Sequence, residues 1–304
     1  MALAALFVLV LGFTIPAILP GAKAWHKGYN LYNGGLAFGI FGFFIFNLMY
    51  KTMGITPPEH MEHMNTIYEQ FGHSYPLYGN LFFLLIFSVC LLTGYVLNGK
   101  SFHGFSHLIK DTGYSSNFAE KYGMPLCLIN IGVYGLIFLL YIDLVTTFTS
   151  GAGFTGPTIG VILAALTFTA MGQHPRNVWP ILLGYQLLYL TTCLFCALNG
   201  REVTWSVSTQ GYINGVAFAT GLCPIVGRYG VRAGIAAGFM CASMCTATSA
   251  LHGGLVLYNG GFTTGLTALI LLPILEHYLP KAREVMKSQT INLKDMITLD
   301  EPDK

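Results

Sequence analysis

A pentapeptide that could hold a small polar solute occurs twice in this chain. Its sequence is Leu-Tyr-Asn-Gly-Gly, and the sixteen-residue stretches around the two copies, 24–39 and 250–265, are identical at nine positions. The Asn amide supplies hydrogen-bond donors and an acceptor, the glycines let backbone N–H groups approach a solute, and the Tyr adds a hydroxyl. A second interpretation, which needs no solute, is a tight turn that caps the following helix. The candidate solute-binding residues are Tyr32, Asn33, Gly34, Gly35, His252, Tyr258, Asn259, Gly260 and Gly261.

The two stretches belong to an internal duplication. At a constant offset of 226 residues, each copy is an apolar segment, a short polar turn around His26 or His252, and a second apolar segment. Self-similarity of this kind indicates a repeated structural unit. The partner of residues 105–226 would lie upstream of Met1, so either the first repeat lacks its leading half or the chain begins inside a longer protein. We expect a partial first repeat, a more complete second repeat and a polar tail, at 1–78, 79–280 and 281–304.

Asp143 is the one carboxylate well inside an apolar run. An acid within a membrane is a candidate proton carrier or cation ligand, and we include Asp143 among the substrate-binding candidates. Its position toward one end of the run leaves an interfacial role open. Asn130, Asn214 and Thr158 are polar groups that face either a packed interior or a pore, and helix–helix hydrogen bonding is the simpler role for them.

Other chemistry has weaker support. The run Glu-His-Met-Glu-His at 59–63 and the pair His103 and His107 have helical spacings that could bind a metal, but solvated loops explain them as well. Motifs of nucleotide-binding and hydrolytic enzymes are missing from the sequence. Seven cysteines, most of them in apolar runs, indicate free structural thiols rather than a disulfide framework. We therefore expect no catalytic residues, metal or cofactor, and no nucleic-acid partner.

The composition indicates an all-α, polytopic integral membrane protein. Hydrophobic residues make up 54% of the 304 positions and charged residues only 9%, too few to cover a water-soluble surface of this size. The charges cluster between long apolar runs. Nine apolar crossings are predicted, at 2–20, 36–50, 77–97, 124–148, 158–172, 178–198, 210–227, 229–250 and 262–279.

The distribution of basic residues predicts the orientation. With the N-terminus outside, thirteen Lys and Arg residues fall on the cytoplasmic side and only Lys51 and Arg201 fall outside. The C-terminus is then cytoplasmic, and the cell membrane is the expected location. Seven crossings separate the two copies of the pentapeptide. Because seven is odd, the two repeats must be inverted relative to each other.

Several predicted crossings are short. Those at 36–50 and 158–172 hold about fifteen residues, roughly 22 Å of helix against an apolar layer of about 30 Å, and the one at 210–227 is also short. Broken or half-length helices are tolerated at membrane depth only where protein or a watery cavity surrounds them. In transporters built from inverted repeats, such helix ends converge near the midplane and form the binding site.

Four motifs carry a resemblance to a known family. They are the duplicated Leu-Tyr-Asn-Gly-Gly, Leu-Ile-Asn-Ile-Gly at 128–132, His-Pro-Arg-Asn at 174–177 and Leu-His-Gly-Gly at 251–254. With them the chain resembles a duplicated multi-pass bacterial family of unknown function, domain-of-unknown-function family 1576, over most of its length. The resemblance implies a multi-pass membrane protein and no particular activity. A looser architectural likeness is to the urea-transporter fold, whose Asn-Pro-x-Thr-Gly signature is missing here.

These observations favour a transporter or channel for a small polar solute, with the two pentapeptide loops framing the path. The expected partners are the lipid bilayer, the solute and a possible second copy of the chain. The alternative is a non-transporting membrane subunit, either a partner-binding scaffold or a quinone- or flavin-linked redox component. An enzyme is not expected, because no nucleophile and base occur in a recognisable arrangement.

Overall fold

A computed structural model describes most of the chain. It covers residues 2–54, 75–149, 153–245, 247–252 and 256–279, without the side chains of residues 2–4, 6–7, 249–250 and 256–259. Within these ranges the regular structure is helical and no β-strand occurs. The α-helices are α1 (Ala2–Trp25), α2 (Asn33–Met53), α3 (Pro76–Leu97), α4 (Phe105–Leu108), α5 (Phe118–Tyr122), α6 (Met124–Phe148), α7 (Gly156–Leu166), α8 (Pro175–Leu198), α9 (Gln210–Ala219), α10 (Cys223–Tyr229), α11 (Val231–Met244) and α12 (Val256–Tyr278).

The helices are those of a membrane protein. In the described ranges, five of them (α1, α2, α3, α6 and α8) are long and apolar enough to cross a bilayer, and two shorter apolar helices span Gly156–Ala170 and Val231–Met244. Large apolar side chains cover the outer faces of α3 and α8, with Leu85, Leu92 and Leu194 each more than 60% exposed. Such a surface needs lipid to cover it.

The two crossings that follow the pentapeptides are longer helices than predicted. The segment expected at 36–50 is α2, with 21 residues, and the one expected at 262–279 lies in α12, with 23 residues. Both helices begin earlier than expected because the Asn-Gly-Gly triplets are helical instead of forming loops before the helices. The prediction of a short crossing at 36–50 was therefore wrong.

The other short crossings are half-length, as predicted. Helix α7 has 11 residues and ends in a 3₁₀ turn, Thr167–Ala170. Helix α9 has 10 residues and ends in a second 3₁₀ turn, Thr220–Leu222, before α10 continues the chain. Each is interrupted where Gly, Pro or Thr residues disfavour a continuous helix. Helix interruptions of this kind occur inside a membrane protein only where other protein or water forms hydrogen bonds with the freed backbone groups.

Helix α9 occupies the centre of the bundle. Every residue from 206 to 226 is buried except Phe218, which is half-buried. Helix α9 packs against both α12 and α7, while α3 with α6 and α8 with α11 form the flanking pairs. Helix α2 crosses α12 and is itself covered by α1. The half-length helix α9 is thus shielded from lipid along its whole length.

Candidate functional site

A row of polar groups runs along α9. Gln210, Asn214, the Ala217 carbonyl and Thr220 are spaced by four, three and three residues, which places them on one face of the helix. The three polar side chains have no exposed surface. We call this row the α9 stripe. Burying so many polar groups in an apolar bundle is unfavourable unless each finds a partner.

At the N-terminal end of α9 the stripe begins in a hydrogen-bonded network, the Gln210 cluster. The Thr155 hydroxyl donates to Gln210 Oε1, and Gln210 Nε2 donates to Asn214 Oδ1 over 2.8 Å. The Thr158 hydroxyl lies 3.1 Å from the same Gln210 oxygen and donates to the Gly153 carbonyl over 2.9 Å. Thr155 also accepts the backbone N–H of Thr158 and so caps α7. The N-termini of α7 and α9 are thereby joined by side chains. Only the Asn214 Nδ2 group lacks a partner in this cluster.

At the other end of α9 lies a second group, the Gln173 cluster. Gln173 Nε2 donates to the Thr220 hydroxyl over 2.8 Å, and that hydroxyl donates to the Ala217 carbonyl over 2.7 Å. Asn130, on α6, donates its amide N–H groups to the carbonyls of Thr169 and Gln173. The C-terminal ends of α7 and α9 meet here, as their N-terminal ends meet at the Gln210 cluster.

Acceptor atoms in the Gln173 cluster remain without partners. Asn130 Oδ1 and Gln173 Oε1 are both fully buried and accept no hydrogen bond. The Tyr134 hydroxyl faces Thr220 and completes no hydrogen bond either. Unpaired buried polar atoms are rare in proteins, because each costs about 1–3 kcal/mol. A site with several of them is a candidate for binding water or a solute.

The first pentapeptide reaches the same cluster through Tyr32. Its hydroxyl lies 3.5 Å from the Ala217 carbonyl, and its ring packs so closely on Gly221 that no larger residue would fit there. The ring also contacts Phe168 and Phe218. Just before it, the Leu31 N–H donates to the Gly221 carbonyl over 3.0 Å. The segment before α2 therefore closes the C-terminal end of the α9 stripe.

The duplicated glycines hold helices together. A Cβ added to Gly35 would lie 2.5 Å from the backbone of Gly261, the residue at the equivalent position of the second copy. Gly39 packs against Phe262, and reciprocally Gly265 packs against Leu36. These two contacts are equivalent, because Gly39 and Gly265 occupy the same position in the two copies, as do Leu36 and Phe262. Close approach of backbones at small residues is a common basis of helix association in membranes.

The remaining members of the pentapeptides have different surroundings. Asn33 begins α2 and its Oδ1 atom has no hydrogen-bond partner, although the side chain lies beside His26. Gly34 makes only ordinary contacts, whereas Gly260 packs on the α9 backbone near Asn214. His252 bonds to the Gly39 carbonyl over 2.9 Å. Tyr258 and Asn259 belong to α12, but their side chains lie outside the described residues.

One end of the bundle is held by a group of charged and aromatic side chains. Lys27 pairs with Glu276 over 2.6 Å, and Arg228 bonds to the Tyr29 hydroxyl and lies over the Tyr29 ring. The Tyr114 hydroxyl donates to the Lys27 carbonyl. Two loops, the last turn of α10 and the end of α12 therefore meet at this end of the bundle.

Comparison with known proteins identifies the family. The model of the family described as "Protein of unknown function (DUF1576)" matches residues 97–277, more than half of the chain. The chain belongs to the DUF1576 family. No curated protein and no solved structure matches the chain, so the likeness to the urea-transporter fold stays a prediction.

Within the matched DUF1576 region, the His-Pro-Arg-Asn motif starts α8. The His174 side chain accepts the backbone N–H of Asn177, and Asn177 Oδ1 accepts the backbone N–H of His174. The other ring nitrogen of His174 forms a hydrogen bond of 2.8 Å with the Asp111 carbonyl. Burial of the ring lowers the pKa of His174 to about 4. Its neutral ring therefore fixes the turn that carries Gln173. The motif also borders a surface cavity of about 360 Å³ that includes Lys110 and Arg176.

Asp143 is separate from the stripe. It accepts a hydrogen bond of 2.9 Å from Asn80 of α3, and its neighbours are threonines of its own helix. The Glu-His-Met-Glu-His run lies outside the described residues. Across the described ranges no group of three or more metal-binding side chains occurs, and all seven cysteines are free.

The sequence carries a signal for Gln210 and Thr220, which were not among the predicted polar candidates. Both share the four-three-three spacing with Asn214 within one short crossing, so their common face is recognisable from the sequence. Gln173, next to the His-Pro-Arg-Asn motif, and Tyr134, inside an ordinary apolar helix, carried no such signal. They join the site only because α6, α7 and α9 pack together.

Proposed function

We propose that this DUF1576 protein is a transporter or channel for a small polar solute, and that the solute moves along the α9 stripe. The observation that carries the proposal is the set of fully buried amide groups on and around a half-length central helix, with Asn130 Oδ1, Gln173 Oε1 and Asn214 Nδ2 lacking partners. A purely structural network would pair these atoms. A path for polar solutes needs groups that exchange one partner for another.

The proposal includes nine crossings arranged as two inverted repeats. Support comes from the reciprocal contacts of Leu36 with Gly265 and of Gly39 with Phe262, since a two-fold axis relates contacts in this way. The Gly35–Gly261 contact would then lie on or near that axis. In inverted-repeat transporters the axis lies in the membrane plane and passes the binding site.

The proposed orientation places the N-terminus outside and the C-terminus in the cytoplasm. It is supported by contacts among residues at opposite ends of the bundle. Lys27 and Arg228, which the basic-residue count assigns to the cytoplasm, lie at one end together with Glu276. Tyr75 bonds to Phe154, and Thr149 to Ser208, at the other.

The first pentapeptide has a defined role in this proposal. Tyr32 closes the cytoplasmic end of the stripe, and the Tyr29–Arg228 contact holds the segment that carries Tyr32. We retain Asn33 and Asn259 as candidate path residues, with Asn33 beside His26. Opening the path would then require the segment 26–32 to move away from Gly221.

The experiment is a flux measurement in vesicles that contain the purified full-length chain. Swelling is followed with acetamide and glycerol, and ion flux with K⁺, Na⁺ and Cl⁻. At least one probe should cross faster than in protein-free vesicles. Asn214→Leu should slow the flux of that probe about tenfold or more, since it replaces a hydrogen-bonding side chain on the path by an apolar one. Asn47→Leu, a change on the outer part of α2, is the matched control and should have no effect.

Two outcomes would contradict the proposal. The first is that no probe crosses faster with the protein than without it. In that case a chromophore that purifies with the protein would favour a quinone- or flavin-linked subunit. The second is that Asn214→Leu and Asn47→Leu behave alike, which would remove the α9 stripe from the path.

A further inference from the structure

The unpartnered atoms of the Gln173 cluster have a definite chemical character. Asn130 donates both amide hydrogens to backbone carbonyls, those of Thr169 and Gln173, at 3.0 and 2.7 Å. Carbonyl oxygens accept and never donate, so the orientation of the Asn130 amide is fixed. Its Oδ1 atom is therefore an acceptor without a donor.

The same reasoning fixes the Gln173 amide. The Thr220 hydroxyl has one hydrogen, and it is used in the bond to the Ala217 carbonyl. Thr220 can then only accept from Gln173, which must turn its Nε2 group toward Thr220. Gln173 Oε1 is left as a second acceptor without a donor.

The missing partner is thus a group with N–H or O–H donors, or a cation. The side chains of the cluster, Tyr32, Asn130, Tyr134, Gln173 and Thr220, are uncharged and at most 5% exposed. Asp143 lies on the same helix as Asn130 but thirteen residues away, about 20 Å along the axis, and bonds to Asn80. A desolvated cation without a counter-charge is strongly disfavoured in such a site.

We propose that the Gln173 cluster is the recognition site for a small uncharged solute, which donates N–H or O–H groups to Asn130 Oδ1 and Gln173 Oε1. This inference rests on the proposed function and adds the class of solute. Tyr134 supplies a third contact, because its hydroxyl can either donate to the solute or accept from it. Primary amides and polyols have the required donors, whereas Na⁺, K⁺ and Cl⁻ lack them.

The test uses the vesicle assay with two matched variants of one helix. Tyr134→Phe removes a hydroxyl that completes no hydrogen bond, so the protein should be as stable as the wild type or more stable. Its acetamide or glycerol flux should nevertheless fall about tenfold, the loss of one hydrogen bond to the solute. Tyr141→Phe breaks the 2.7 Å bond from Gln186 and should lower thermal stability while leaving flux within twofold.

The outcomes separate this inference from the proposed function. The uncharged-solute site is supported if acetamide or glycerol crosses and the ions do not, and if Tyr134→Phe reduces that flux while Tyr141→Phe does not. Flux of K⁺, Na⁺ or Cl⁻ without acetamide or glycerol flux would overturn the inference but leave a transport function. Equal acetamide or glycerol flux in Tyr134→Phe and the wild type would also overturn it. Absence of any flux would overturn both.

Discussion

The two ends of the α9 stripe are built from similar residues but differ in how completely they are hydrogen-bonded. In the Gln210 cluster the Gln side chain accepts from Thr155 and donates to Asn214, and the cluster ties together the first turns of α7 and α9. Only Asn214 Nδ2 lacks a partner there. In the Gln173 cluster two amide oxygens and a tyrosine hydroxyl remain without partners. The first arrangement is what stability requires, and the second is what an exchangeable ligand requires. A buried amide is therefore informative about function only once its partners have been counted.

The largest effect on stability is expected in the Gln210 cluster. Gln210→Met keeps the length of the side chain but removes the acceptor of the Thr155 hydroxyl and the donor to Asn214 Oδ1. We expect a loss of about 3 kcal/mol, because each of the two broken hydrogen bonds leaves a buried polar group without its partner. Thermal unfolding in detergent measures it, with Gln186→Met on α8 as the control that breaks a single bond. Equal midpoints for the two variants would mean that the Gln210 cluster does not hold α7 and α9 together.

A pH change should act on the Gln173 cluster through His174. The pKa of His174 is about 4 in the folded protein, because burial disfavours the charged ring, against about 6.5 in an unfolded chain. Above pH 6.5 the ring is neutral in both the folded and the unfolded protein, and its contribution to the free energy of unfolding is fully present. As the pH falls toward 4, only the unfolded chain takes up the proton, so stability decreases. Between pH 7 and pH 5 the loss is about 2 kcal/mol.

Thermal unfolding of His174→Asn at the same two pH values provides the control. Asn also caps a helix N-terminus but does not titrate in this range, so the variant should lose less stability than the wild type on acidification. An identical pH dependence in both proteins would show that other groups titrate instead.

A smaller effect is expected where the duplicated helices cross. Gly35→Ala forces a methyl group against the Gly261 backbone and should cost about 1–2 kcal/mol, while Gly34→Ala has room and should cost little. Because Tyr32 directly precedes α2, the Gly35→Ala substitution should also alter flux through the Gln173 cluster. Thermal unfolding and the vesicle assay measure the two effects. Equal stability of the two variants would contradict the close Gly35–Gly261 contact.

Much of the fold could be predicted from the sequence, since apolar runs alone locate most helices. Helix α6 has the predicted bounds, and the half-length character of α7 and α9 followed from glycine, proline and run length. The pentapeptides were harder to interpret. Asn-Gly-Gly is typical of turns, and only the packing of Gly35 on Gly261 explains why the triplets are helical.

The site itself was only partly predictable. Asn130, Asn214 and Thr158 stand out as polar residues in apolar runs, but the sequence does not say which helix faces meet. Asn130 is bonded to backbone carbonyls near Gln173, 43 positions further along the chain. Such pairings depend on the tertiary arrangement of α6 and α7, which no local pattern encodes.

If the face of α9 that carries the stripe is the solute path, a pair of substitutions on two faces of α9 should affect flux differently. Ala217 and Ala219 are both fully buried in α9, but only Ala217 lies on the stripe. Each is replaced by Cys, and flux is measured before and after a small water-soluble methanethiosulfonate reagent, with the wild type and its seven cysteines as background. We expect the reagent to block flux in Ala217→Cys and to leave Ala219→Cys like the wild type. Equal sensitivity of the two variants, or no sensitivity in either, would contradict it.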